Sequence, residues 1–498
     1  MNTLNKVISG VLSVSLIAAL SACGGGTAPT DATTAGGAAD TTTTTAATTV
    51  TTTIPTVEIV TSSFAEEEMS IIETAAEKLP DVDLPNGADI KWLATYDQNP
   101  TTSGQPKTSA LELFEVKYGG SVKWYQTTWD TRFDDLSRYV LGGEGIDFVP
   151  GDDEENFPKG VVNGMFVPVT DYIDLSLDIF DPTRDAMELL KFGDDYFEVI
   201  YNVAALYLVS YNSQTIEDNG LDDPYELWQS GNWNWDTFKE LLIDYVDPEN
   251  EMLGLDGWYN DRAIYMSAGV PIVGQVDGQL VSNINSPVIE KAMNYGYDLW
   301  SNGLIVDQAL YSWVPPIHYM GEGKELFYIG GWWHYTQSPD TWATKIPPEN
   351  LRIVPVPSPA DQDPVTAARL DGFAICKGAK APEAVAAFAY CWMVANQDPE
   401  LQKISARQFA SDYGITEELI EINRSIDQVA KDNPVIDLAA GSSEDIFSIT
   451  TNGGDSAGTR AAFKGVDWAQ TREATADTLE MLVEEVNVNL QNAVAALE

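Results

Sequence analysis

The sequence predicts an α/β protein with mainly parallel sheets, and enough chain for two lobes. Three observations carry this. Between residues 90 and 151, strand-like and helix-like stretches alternate strand, helix, strand, helix, strand, the order that builds a parallel sheet with crossover helices. The chain has 498 residues, of which 44% are hydrophobic, with 14 Trp and 21 Tyr. That composition is globular, and the length can fill two separate cores. No internal repeat appears, so a solenoid is not indicated.

The elements follow in order. Lys6 is the only charge before Asp31, and Val7 to Leu20 is apolar. A basic end, a short apolar core and small residues at the exit make a secretory signal over 1–22. Residues 23–57 are Thr, Ala and Gly with almost no bulky side chain, too little apolar area to offset the entropy of ordering. They are expected to be a disordered tether. FAEEEMSIIETAAEKL (64–79) reads as an amphipathic helix ended by Pro80. IKWLATY (90–96) is a strand, and LELFEVKYG (111–119) a helix stopped by glycine. SVKWYQTT (121–128) is a strand, TRFDDLSRYVLGGEG a helix, and IDFVPG (146–151) a strand and turn. Further on, ALYLVSYN (205–212), KELFYIGGWW (324–333), LRIVPVPSP and DGFAICKGA read as strands. NWDTFKELLIDYV (234–246), SPVIEKAMNYGYDLWSNG (286–303), PEAVAAFAYCWMVAN (382–396) and the C-terminal segment read as helices.

Composition excludes several functions. There are 27 Lys and Arg against 76 Asp and Glu. Loss of residues 1–22 removes one lysine and no acid, leaving a net charge of −50. Such a chain repels nucleic acid and anionic lipid. The only histidines are His318 and His334, no G-x-S-x-G elbow is present, and no His/Cys cluster has metal-ligand spacing. Walker and Rossmann glycine patterns are absent. Acid pairs are so abundant that a glycosidase-type couple carries no information. The expectation is no enzyme, no cofactor and no metal, with a secreted two-carboxylate hydrolase as the alternative outside binding. Cys376 and Cys391 have apolar flanks, which suits buried thiols; whether they pair is left open.

Binding is better supported. Aromatic residues gather near expected strand ends: Trp92 and Tyr96, Trp124 and Trp129, Trp258 and Tyr259, Trp332 and Trp333. In open α/β sheets, ligands sit beyond the carboxyl ends of the strands. A ring there offers a flat face to the C–H face of a sugar, and neighbouring acids and amides take its hydroxyls. Asp97, Gln98 and Asn99 follow the first strand, and Asp152 and Asp153 the third; Asn260 and Asp261 follow Trp258. Two adjacent tryptophans on a strand would face opposite sides, so both are hard to bury.

Several segments, taken together and in order, carry a resemblance. Leu20-Ser21-Ala22-Cys23 resembles the lipobox of bacterial lipoproteins, which implies lipidation of Cys23. IDFVPGDDEENFPKGVVNGMFVPVTDYIDL, ALYLVSYNSQTIEDNGLDDPYELWQSGNWNWDTFKEL, GKELFYIGGWW and IVPVPSP followed by LDGFAICKGAKAPEAVAAFAYCWMV resemble the carbohydrate-type extracellular solute-binding proteins of ABC importers, the group that includes maltose-binding protein. The resemblance spans roughly residues 88–498. It implies a periplasmic-binding-protein-like fold: two α/β lobes joined by hinge strands, lobe one over 58–205 plus 373–420 and lobe two over 206–372 plus 421–498. The implied ligand residues are Tyr96, Asp97, Asp152, Asp153, Trp258, Trp332 or Trp333, and Asp371 beside the second crossing; Trp129 joins them from the aromatic pattern. The acid that some relatives carry in the first hinge crossing is missing from Val203-Ala204-Ala205. The implied role is a lipid-anchored receptor on the outer face of a bacterial cell membrane that hands a carbohydrate to an ABC permease. A peptide, polyol or other small polar ligand fits the same pattern, as does a surface glycan-binding lipoprotein with no dedicated permease.

Overall fold

The structure, a computed structural model, describes residues 64–98, 107–129, 131–151, 156–312, 314–336, 346–451 and 456–497. The expected signal segment, Cys23 and the tether lie outside the described residues, as do Asp152 and Asp153.

Lobe one is built on a six-stranded sheet. β1 (Asp89–Ala94) pairs in parallel with β2 (Ser121–Gln126), Trp92 opposite Trp124. It also pairs in parallel with β3 (Phe148–Pro150). The connections are helical, as the alternation requires: α1 (Glu66–Ala76) precedes β1, α2 (Ser109–Tyr118) links β1 to β2, and α3 (Arg132–Gly142) links β2 to β3. Thr108 caps the start of α2, and Gly119 and Gly143 end α2 and α3 with φ of 63° and 67°, a backbone region that glycine enters without strain. β4 (Glu198–Ala205) and the short strand Pro434–Val435 join this sheet by pairing with a later strand, described next.

The chain leaves lobe one through β4 and enters a four-stranded sheet as β5 (Leu208–Asn212). β6 (Leu253–Gly257) and β7 (Glu325–Gly330) run parallel, whereas β5 is antiparallel to β7 and to β8 (Leu351–Pro355). The chain then returns as β9 (Thr366–Ile375), antiparallel to both β3 and β4. So the parallel expectation holds where helices make crossovers. It fails at the hinge strands, because a chain arriving from the other lobe enters its sheet from the opposite end. ALYLVSYN is not one strand: β4 stops at Ala205 and β5 starts at Leu208. Leu206 and Tyr207 carry the crossing, with Leu206 N–H donating to the Ala367 carbonyl at 2.8 Å.

Each lobe has its own aromatic core. In lobe one, Trp92, Phe148 and Phe373 pack with centroids 4.6–5.6 Å apart. In lobe two, Trp233 and Phe238 pack on Phe327 at 5.9 and 5.0 Å. Lobe two also carries α4 (Trp235–Tyr245), α5 (Asn260–Met266) and α6 (Pro287–Ser301). α7 (Pro382–Gln397) is almost wholly buried against lobe one. Its Cys391, like Cys376 of the segment after β9, is a buried free thiol, and burial pushes both thiols up. Two helices not among those expected from the sequence follow: α8 (Pro399–Tyr413) and α9 (Glu417–Asp432), the second with Leu419, Ile420, Ile422, Ile426 and Ala430 buried along one side. α8 packs on α1, α2 and α7; α9 lies against both β4 and β8. α10 (Trp468–Leu497) packs on lobe two and also meets the short helix Lys159–Val162 of lobe one. Among the described residues no helix is long and apolar enough to cross a membrane.

Candidate functional site

The carboxyl ends of β1, β2 and β3 open onto one recess in lobe one, lined by Ala94, Tyr96, Thr127, Trp129, Phe133 and Val149, among others. Tyr96 is 37% exposed and Trp129 47%. The strand tryptophans make this possible from below. Trp92 is fully buried and donates its indole N–H to the Tyr96 carbonyl at 2.9 Å. Trp124 donates to the Ala94 carbonyl at 2.9 Å. Both pin the turn after β1, so Trp92 belongs to the core and not to a binding face.

The loop after β2 is held as firmly. Thr127 Oγ1 donates to Asp135 Oδ2 at 2.7 Å, and Arg138 bonds the other carboxylate oxygen at 2.8 Å. The Arg138 hydrogen bond, then that of Thr127, holds the Asp135 carboxyl below its ordinary range. The Arg132 guanidinium lies 4.7 Å from the Trp129 ring centroid and donates to the Trp129 carbonyl. Asp97 is half-buried beside Tyr96. Gln98 is buried, and Asn99 lies outside the described residues.

In lobe two, Trp258 is half-buried just past β6. The next residue, Tyr259, is the centre of an aromatic group that sequence reasoning assembles only in part. Its ring stacks on Tyr207 of the hinge crossing at 5.7 Å and meets Trp333 edge-on at 6.1 Å. Arg262 lies 5.4 Å from Tyr259 and 5.1 Å from Phe447, and its guanidinium donates to the Thr451 carbonyl at 3.0 and 3.3 Å. Tyr207 and Phe447 are far from Tyr259 in the chain and carry no local motif, so only folding brings them together. Asn260 and Asp261, expected to face a ligand, are buried instead: they open α5, where Asp261 accepts from Thr459 Oγ1 at 3.1 Å. Burial raises the Asp261 carboxyl.

Trp332 and Trp333 are not on a strand. β7 ends at Gly330 and the chain turns into a 3-10 helix over Trp332–Thr336. The turn folds the Trp333 ring over Gly331, where a Cβ would lie 1.7 Å from it. The strand-alternation argument therefore does not apply, and both indoles are half-buried. Trp333 turns towards Tyr259, while Trp332 stacks on Phe409 of α8 at 5.5 Å and 21°. Asp371 sits on β9, where Arg369 bonds it at 2.6 and 3.1 Å and Asn202 at 2.9 Å. Its carboxylate ties the two hinge strands together.

Comparisons with known proteins agree with this architecture. No curated protein sequence matches the chain. Solved structures that share its fold include three sugar-complex or receptor structures. One is the GacH receptor of Streptomyces glaucescens, described unliganded and with acarbose (14% identity over 80% of this chain and 99% of that one, TM-score 0.56). Another is an ABC substrate-binding protein of Listeria monocytogenes in complex with cycloalternan (15%, 79% and 98%, TM-score 0.57). The third is an extracellular solute-binding protein of Staphylococcus aureus in complex with maltose (12%, 84% and 100%, TM-score 0.54). The fold is thus the two-lobed one of substrate-binding proteins. The sequence profile of the bacterial extracellular solute-binding proteins matches residues 99–391, and the chain belongs to that family.

Proposed function

We propose that this protein captures a saccharide between its lobes and delivers it to an ABC permease, without chemistry of its own. The observation that carries this reading is the pair of aromatic surfaces at strand ends, Tyr96 and Trp129 in lobe one and Tyr259 with Trp333 in lobe two. Rings supply apolar area and a face for the sugar ring, and nearby acids accept hydroxyls. Asp97, Asp152, Asp153 and Trp258 complete the proposed contact set, with Asp371 acting from the hinge. The proposed lobe boundaries are 205/206, 372/373 and 420/421; β9 is bonded to β4 from Ala368 onward, which supports a hinge passage along this strand. The boundary at 420/421 falls inside α9, so the last passage between lobes is helical. Closure needs one ligand to touch both lobes, so that binding favours the closed arrangement. Lipid on Cys23 would keep the receptor at the outer face of the membrane, since several acyl chains anchor where one does not.

Thermal-shift measurements with a panel of mono- and oligosaccharides test the reading. A saccharide that binds only the native form raises Tm. A panel spanning neutral and acidic sugars that leaves Tm unchanged, while a peptide or polyol raises it, would overturn the assignment. Metabolic labelling with palmitate that is lost in Cys23→Ala tests the anchor.

A further inference from the structure

Four aromatic rings form a row from one lobe to the other. Tyr335 and Trp332 pack at 4.9 Å, Trp332 and Phe409 stack at 5.5 Å and 21°, and Phe409 packs on Tyr413 at 4.5 Å. The first two rings belong to lobe two, where the Tyr335 hydroxyl pairs with Ser210 of β5. The last two belong to α8, which lobe one holds through Ser109–Ser405 (3.3 Å), Lys78–Asp398 (2.6 Å) and Glu68–Arg407 (3.1 Å). Each end of the row is thus anchored in its own lobe, and the middle contact, Trp332 on Phe409, crosses between them. Nearby polar contacts are weaker restraints: Arg352–Glu418 at 3.8 Å has one partner 67% exposed, and such exposed pairs hold little.

We propose that the Trp332–Phe409 stack is a built-in brace that restrains hinge motion, so that one of the two tryptophans serves the lobe arrangement while Trp333 serves the ligand. The reason is economy of contact. Apart from the hinge strands and α9, which lies against both β4 and β8, the stack joins the lobes by side chains alone, and an aromatic stack shifts a two-state population by about twofold to tenfold. Trp332 has one ring face on Phe409 and a side on Tyr335, an arrangement suited to packing between lobes.

The test measures the distance between spin labels on exposed positions of the two lobes, Glu73→Cys in α1 and Asp244→Cys in α4, in a Cys23→Ala chain. The expected result is a narrow distribution for the otherwise unchanged chain, and a broader one for Phe409→Ala and Trp332→Ala, with an added population about twofold to tenfold above the parent's. Phe409→Leu keeps the apolar bulk but not the ring; it serves if the alanine variants fail to fold, and it too should broaden the distribution. Folded variants whose distributions superimpose on the parent's would overturn the brace. No saccharide enters the measurement, so its outcome is separate from that of the ligand assignment.

Discussion

Trp92 and Trp129 are both tryptophans near a strand end, yet one is sealed in the core and the other is 47% exposed at a recess. Their chemistry is the same; their register is not. Trp92 lies inside β1 with its indole N–H committed to the Tyr96 carbonyl, and Trp129 lies beyond β2 on a loop held by Thr127 and Arg132. Trp129→Ala should therefore weaken saccharide binding about tenfold, the scale of a lost stacking face, and leave Tm nearly unchanged; titration calorimetry with unfolding scans checks both. A second residue-scale prediction concerns Asp256, buried in β6 with Gln308 Nε2 and Gly257 N–H donating to one oxygen at 2.8 Å each. Burial raises its carboxyl to about 6. A raised carboxyl contributes stability that is present below the unfolded value and is lost as pH rises through the folded one. Asp256→Asn is neutral at every pH and keeps the accepting oxygen. Its stability relative to the parent should improve by roughly 2 kcal/mol between pH 4 and pH 8, read by urea unfolding at the two pH values.

Among elements, β9 shows how a hinge strand is specified. Its register shifts between Asp371 and Gly372, and a Cβ on Gly372 would stand 2.5 Å from the Val199 carbonyl oxygen. Backbone cannot retreat there without breaking the β4 pairing. Gly372→Ala should cost roughly 2–3 kcal/mol, the scale of an overpacked core position, measurable by thermal unfolding. Capping and periodicity made α1, α2, α3 and α6 legible in the sequence, because each carries its own stop or cap within one turn. β4 was not legible. FEVIYNVAA reads as a continuation of the apolar stretch that follows it, and only the pairing with β9 separates it from β5. The same holds for the proposed binding surface. Tyr96 and Trp129 could be found from strand-end logic, whereas the Tyr207–Tyr259–Trp333 group depends on a hinge residue and two strand ends that meet only after lobe two has formed.

For the whole molecule, the net charge of −49 opposes compaction. At 0.1 M salt, repulsion between exposed charges more than about 10 Å apart is largely screened, so Tm should rise as sodium chloride is raised from about 10 mM to several times 0.1 M; calorimetry that shows a fall would contradict it. The buried carboxyls of Asp256, Asp261, Glu325 and Asp437 and the half-buried one of Asp427 are raised by desolvation, which points the same way: the protein should be harder to unfold at mildly acidic than at alkaline pH. By itself the sequence determined the α/β class, the acidic surface, the glycine-stopped helices and the family, because these rest on periodicity, composition and short motifs. Tertiary structure alone decided which aromatic rings stand exposed at strand ends and which fill the core. Whether an indole is a platform or a plug depends on what stands opposite it, and for Trp332 that neighbour lies 77 positions away, in Phe409.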